Sequence, residues 1–266
     1  MFPTILEIER EAGSAALGTI NVKVTGEDDH RFRILVEDVS QRPDGTLTYA
    51  PASGSRFSAS SWVSVTPKTF SGAPDRVQPV QFHVAVPANA EPGDHLTSLT
   101  VQRLGGSGAA ATATAIQAVS VRLTIRVEGR LHPAAEITAL EVPGIAAGGP
   151  VSVATTVRNS GNVTLDFDRG NRAGVTIRDG DEVEATLPPW SGQLFPGQLR
   201  EVVNRWEDPP LFGTFDARAA VRIGADEIKR EASFWVIPWR QIGALLLVIV
   251  AVVIFALGWR RRRWGY

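Results

Sequence analysis

The sequence predicts an all-β chain in two tandem β-sandwich domains, followed by a single C-terminal transmembrane α-helix. Three observations lead there. Apolar and polar residues alternate with period two through most of residues 1–238, as in strands with one face in a core. Turn residues interrupt that alternation at roughly ten-residue spacing, at Pro43–Gly45, Ser71-Gly72, Pro92-Gly93, Gly105-Gly106, Asp179-Gly180 and Pro196-Gly197. One long uncharged stretch, Ile242–Trp259, stands apart from both patterns.

The elements follow in order. A strand is predicted to open at Thr4–Ile8, and alternation recurs at Ile20, Val22, Val24, then Phe32, Ile34, Val36, then Phe82, Val84, Val86. The longest clean run is Val119, Val121, Leu123, Ile125, Val127, interleaved with Ser120, Arg122, Thr124 and Arg126. It predicts an apolar row in the core and a polar row in water. A domain boundary falls near 129–135, after this strand. Alternation returns at Val151, Val153, Val157, at Val163, Leu165, Phe167, at Ala219, Val221, Ile223, and at Ala232, Phe234, Val236. Pro238 then ends the last strand. The expected domains are therefore 1–129 and 130–238, with a helix at 239–259 and a basic tail at 260–266. A length of 266 residues suits two such cores.

Ile242–Trp259 carries no charge, and at about 1.5 Å per residue spans roughly 27 Å. Trp239 and Trp259 stand at its ends, where indoles favour the headgroup region. Arg260, Arg261, Arg262 and Arg263 follow, against Arg240 alone on the other flank. These seven residues are the expected membrane-interface anchors. The charge bias places the tail in the cytoplasm and residues 1–238 outside, giving a single-pass protein of the cell membrane with the lipid bilayer as partner. The opening MFPTILEIEREAG has neither a basic n-region nor an apolar h-region. A signal peptide is thus expected upstream of this sequence.

Composition excludes several chemistries. With no cysteine there is no disulfide framework, thiolate metal site or cysteine nucleophile. Removing Arg240 and Arg260–Arg263 leaves 22 basic against 28 acidic residues, a net −6, which argues against nucleic acid. His30, His83, His95 and His132 share no metal-ligand spacing. No G-x-S-x-G elbow exists, and Gly105–Gly108 lacks the lysine of a phosphate loop. Carboxylates cluster at Glu27-Asp28-Asp29 and around Asp166–Asn171, the latter without the terminal glutamate of a calcium loop. No cofactor, no metal and no enzyme activity are expected. Trp62 and Trp206 are expected to plug sandwich cores. Trp190, in Pro188–Gly192, is the candidate exposed binding aromatic.

Several stretches together resemble the bacterial WxL-interacting cell-surface proteins. They are Gly18–Val22, Asp44-Gly45, Ser61–Pro67, Val84–Pro87 through Ala90–Gly93, and the Val157–Asn162 turn. The resemblance implies two tandem Ig-like sandwiches, the first binding peptidoglycan, then a membrane helix and basic tail. The chain has no W-x-L motif, so it would be the partner of such proteins. The function expected on this basis is a membrane-anchored surface scaffold or adhesion-type protein contacting peptidoglycan or a WxL-like surface protein. Two alternatives stand beside it. One is an extracytoplasmic chaperone or assembly factor that uses a sandwich edge, and the other a glycan hydrolase with a carboxylate pair.

Overall fold

The computed structural model describes residues 5–24, 30–52, 54–104 and 118–263, without the side chains of 240, 241, 245, 258 and 260–263. Thr4, the Glu27-Asp28-Asp29 cluster, Gly105–Gly108 and the side chains of Arg240 and Arg260–Arg263 lie outside the described residues. The chain divides into two compact units. The first comprises Met1–Glu136 together with Arg158–Asp166 and Gly192–Arg200. The second comprises Ile137–Val157, Phe167–Ser191 and Glu201–Tyr266.

The first unit is a β-sandwich. Its strands are β1 (Ile5–Arg10), β2 (Ala15–Lys23), β3 (His30–Gln41), β4 (Leu47–Ala50), β5 (Val63–Thr66), β6 (Thr69–Gly72), β7 (Val77–Ala85), β8 (Gly93–Leu104) and β9 (Ala118–Val127). One sheet has the order β1-β9-β8-β3-β4, with β6 also paired to β3, and the other has the order β2-β7-β5. β1 runs parallel to β9, from Ile5 opposite Arg122 to Arg10 opposite Val127. β8 and β9 are antiparallel, from Gly93 opposite Val127 to Gln102 opposite Ala118. Between the sheets Val63, Val65, Val80, Phe82, Val84, Leu99, Leu123, Ile125 and Val127 form the core, as period-two alternation requires.

The second unit is also all-β. One sheet orders β10 (Ala135–Glu141), β12 (Val151–Asn159) and β17 (Leu199–Trp206). The other orders β11 (Ile145–Ala146), β19 (Asp226–Val236), β18 (Gly213–Ile223), β14 (Arg172–Asp179) and β15 (Glu182–Thr186). Trp206, Phe215 and Phe234 meet edge-on or tilted at centroid separations of 5.0–6.2 Å, and all three are buried. The alternation at Val163–Phe167 yields only a two-residue strand, β13 (Leu165–Asp166), paired with β16 (Gln193–Leu194), and both strands belong to the first unit.

Two expectations change. The polar row of β9 is covered at its middle, where Arg122 and Thr124 are buried at 8% and 7% exposure. Segments 158–166 and 192–200 of the same unit cover that face and supply its partners, as described below. The second change concerns the C-terminus. The helix α1 (Trp239–Arg263) forms, yet among the described residues no helix is long and apolar enough to cross a membrane. The transmembrane span, the bilayer as its partner, and the single-pass topology with residues 1–238 outside are corrected accordingly. Trp239 and Trp259, expected at the membrane interface, are both more than half exposed on α1.

Candidate functional site: an unfilled groove in the first unit

The inward rows of the first unit start as core and end as open space. On β8 that row reads His95, Thr97, Leu99, Val101, Arg103, on β3 it reads Ile34, Phe32, His30, and on β9 it reads Leu123, Val121, Val119. Register keeps the rows side by side, with Ile34 opposite Val101, Phe32 opposite Arg103, and Val101 opposite Val119. Leu99 and Leu123 are fully buried, while Val119 is 66% exposed. A cavity of about 470 Å3 opens over this end. That volume lies in the range of about 300–1,000 Å3 typical of ligand sites.

The cause is a mismatch in strand number. One wall is built from four strands, with Leu6 of β1, Val119 and Val121 of β9, Val101 and Arg103 of β8, and His30 and Phe32 of β3. The opposite wall is β2 and its continuation alone, through Thr19–Lys23 and Val24. Consecutive β2 residues of both phases line the cavity, so it runs along the backbone edge of β2 as well as under its inner face. That edge is free among the described residues, because β2 pairs only with β7. A further strand would lie about 4.8 Å beyond β2, over the uncovered rows.

Charge at the groove is of one sign. Lys23 and Arg103 line it beside His30, and among the described lining residues there is no carboxylate. Lys23 reaches Asp75 outside the lining at 3.5 Å, with both side chains well exposed. Arg103 stands in the inward phase of β8, so its guanidinium is presented towards the groove mouth.

The polar face of β8 and β9 has a different character, because its groups are already partnered. Asp94 is fully buried, accepts two bonds from Arg126 at 2.7 and 3.1 Å, and accepts the Thr164 N–H at 2.7 Å. Asp94 in turn raises the Arg126 guanidinium further above its ordinary value. Arg122 donates to Gln193 and lies 4.9 Å from the Phe195 ring centroid. Burial pulls its guanidinium down from its ordinary value. Asn159 donates to the carbonyls of Val163 and Leu194 and accepts the Gly161 N–H. Asn162 donates to the carbonyls of Pro92 and Arg130 and accepts from the His132 N–H. The Val157–Asn162 turn is thus a structural staple within the first unit. Gly161 sits so close to the His132 carbonyl that a Cβ there would meet it at 2.2 Å. The Asn162 amide, part of the formal Asn162-Val-Thr164 sequon, is committed to this staple.

The other sequence candidates resolve individually. Trp190 is buried at 5% exposure, packs edge-on to Phe167 at 5.9 Å, and donates its backbone N–H to the Ala173 carbonyl. It is a core residue of the second unit and is corrected as an exposed binding aromatic. Pro, Ser and Gly neighbours suggested a surface loop, but the chain turns the indole inward. Trp206 is buried, and Trp62 packs against the first core. His95 is buried with its ring 4.4 Å from that of Trp62, and its Nε2 donates to the Glu91 carbonyl. Burial lowers its basicity. Asp166 accepts from Gln193 at 3.0 Å. Among the described residues no three His, Asp or Glu side chains come together as a metal site would need. The groove residues escaped the sequence reading because each looks like ordinary core. The one sequence sign is Arg103, a charge in the apolar phase of its strand.

The chain matches no protein-family model, and no curated protein matches it. Among solved structures, it is similar to a chain of a chaperone–tip adhesin complex of CFA/I fimbriae biogenesis. The identity there is 7% and the TM-score 0.44, over 87% of this chain and 96% of that one. It is similar to the class 5 fimbriae chaperone CfaA, at 8% identity and TM-score 0.43, over 90% and 99% of the two chains. A third is the Pseudomonas aeruginosa CupB2 chaperone, at 12% identity and TM-score 0.39, over 86% and 96%. No wall-binding family model supports the resemblance noted in the sequence. The membrane-anchored surface location, which rested on the helix and its charge bias, is corrected with that helix, and the peptidoglycan or WxL-like partner with it.

Proposed function

We propose that this chain is a binding and assembly protein, without catalytic chemistry of its own, that receives an extended strand of a partner protein along the free edge of β2. The observation that carries this reading is the groove, where β2, the edge strand of the smaller sheet, lines the cavity opposite four strands of the other sheet and leaves room for one more strand beyond its free edge. An unpaired edge offers backbone donors and acceptors in register, and alternate side chains of an added strand would enter the groove. Chaperones of the kind named in the similar structures fall within this functional class.

The test is hydrogen exchange on the full chain with and without excess alternating Val/Thr peptide of eight residues. Added pairing should slow exchange of those amides in Thr19–Lys23 that point away from β7. Peptide binding that leaves these amides unchanged would place the site elsewhere and overturn the reading.

A further inference from the structure

The charge arrangement at the groove selects among partner strands. We infer that the strand received beside β2 carries an acidic side chain at the end that lies over Arg103 and His30, following an apolar alternating run. This deepens the strand-addition reading and rests on it.

The argument starts from strand phase. Inward positions of β8 run Leu99, Val101, Arg103, and those of β3 run Ile34, Phe32, His30, so each row that begins in the core ends on a basic group. Arg103 stands opposite Phe32 in the ladder, which sets both ends on the same side of the groove. Lys23, at the end of β2, closes the third side. Among the described lining residues there is no carboxylate, and Lys23 pairs with Asp75 outside the lining at 3.5 Å, which leaves Arg103 as the charge an added strand would meet. An inward-phase charge at the mouth of an apolar groove favours a partner of opposite sign and penalises a like one, which is how charge sets specificity at interfaces. The remaining lining is apolar, from Ile20, Val22, Val101 and Val121, and accepts alternate apolar side chains. The stretch of β2 that lines the groove is Thr19–Val24, so the matching segment spans about six residues, roughly 20 Å when extended.

The test uses the full chain and fluorescence anisotropy with labelled eight-residue peptides, acetylated and amidated so that no terminal charge contributes. Three share one alternating Val/Thr run and end in two Asp, two Asn or two Lys. The Asp-ended peptide should bind roughly tenfold more tightly than the Lys-ended one, as two partly exposed charge contacts of opposite sign would give. Arg103→Glu should abolish or invert that preference while leaving the melting temperature of the chain unchanged. Equal binding by all three peptides, or a preference untouched by Arg103→Glu, overturns the acidic-end inference and leaves strand addition standing. Val119→Trp, which fills the exposed mouth, should weaken every peptide together. Binding that survives it overturns both proposals, and so does the failure of all three peptides with a chain shown folded by circular dichroism. Self-association of the chain that Val119→Trp removes, with no peptide bound, would identify a second copy as the occupant and overturn the acidic-end inference.

Discussion

The two ends of the first sandwich are built from the same strands and the same phase, yet one is solid core and the other an open groove. Along β9 the inward row passes from Val127, Ile125 and Leu123, all fully buried, to Val121 and then Val119, which is 66% exposed. Along β8 it passes from buried Leu99 to exposed Arg103. The side chains at the open end are hardly less apolar until the last position. What differs is the opposite sheet, with β2, β7 and β5 over one end and only β2 and β7 over the other, where β2 alone lines the cavity among the described residues. Alternation therefore decides which side chains point inward, and the number of facing strands decides whether they pack or wait for a partner.

The largest expected effects lie at the solid end. Leu123→Ala removes a fully buried side chain from the core and should cost about 3 kcal/mol, from the lost transfer of its methyls plus the cavity left behind. Val121→Ala, two residues along the same row, borders space that already exists and should cost less than about 1 kcal/mol. Denaturant unfolding of both variants, followed by Trp fluorescence, measures the contrast directly. Similar losses for the two would show that the groove end is packed in solution and remove the basis of the binding proposal.

Next comes the covered polar face, the counterpart of the groove on the other side of β8 and β9. Asn159→Ala strips two carbonyls and one N–H of buried partners and should cost about 2 kcal/mol. Gly161→Ala should be comparably damaging, because its Cβ would meet the His132 carbonyl at 2.2 Å and the Ala134 nitrogen at 2.6 Å. Thermal melts of the two variants check this. If both melt like the parent, the Val157–Asn162 turn is not a staple.

This contrast also explains what the sequence could show. Val119–Val127 declared both the strand and its inward row, and Phe82, Val84 and Val86 did the same for β7 and the residues just beyond it. The polar row Ser120–Arg126 reads as facing water, wrongly at Arg122 and Thr124, since alternation cannot tell water from a polar cover. The partners that bury Arg122 and Asp94 are Gln193 and Thr164, roughly 70 residues away in sequence and therefore invisible to any local pattern. Trp190 misled for a similar reason, because Pro188–Gly192 has a surface composition while Phe167 receives its indole. The groove was least legible of all. Its existence depends on where the smaller sheet stops, which no single strand encodes.

The smallest predicted effect again sets the two ends of one row apart. His95 shares the inward phase of β8 with Arg103, but lies at the solid end against Trp62 and Phe57. Burial lowers its basicity, opposed by the Glu91 carbonyl and by the charges of Glu91 and Asp94. The folded chain thus holds His95 neutral where the unfolded chain, with a value near 6.5, begins to take up a proton. The stability this contributes is fully present above pH 6.5 and is lost as pH falls from there through the lower folded value. His95→Gln keeps a donor for the Glu91 carbonyl and removes the titration. Melting temperatures of parent and variant should run parallel above pH 6.5, and the parent's should fall more steeply below it. Parallel curves down to pH 5 would mean that His95 reaches water in solution, and that the solid end of the sandwich is less closed than its packing indicates.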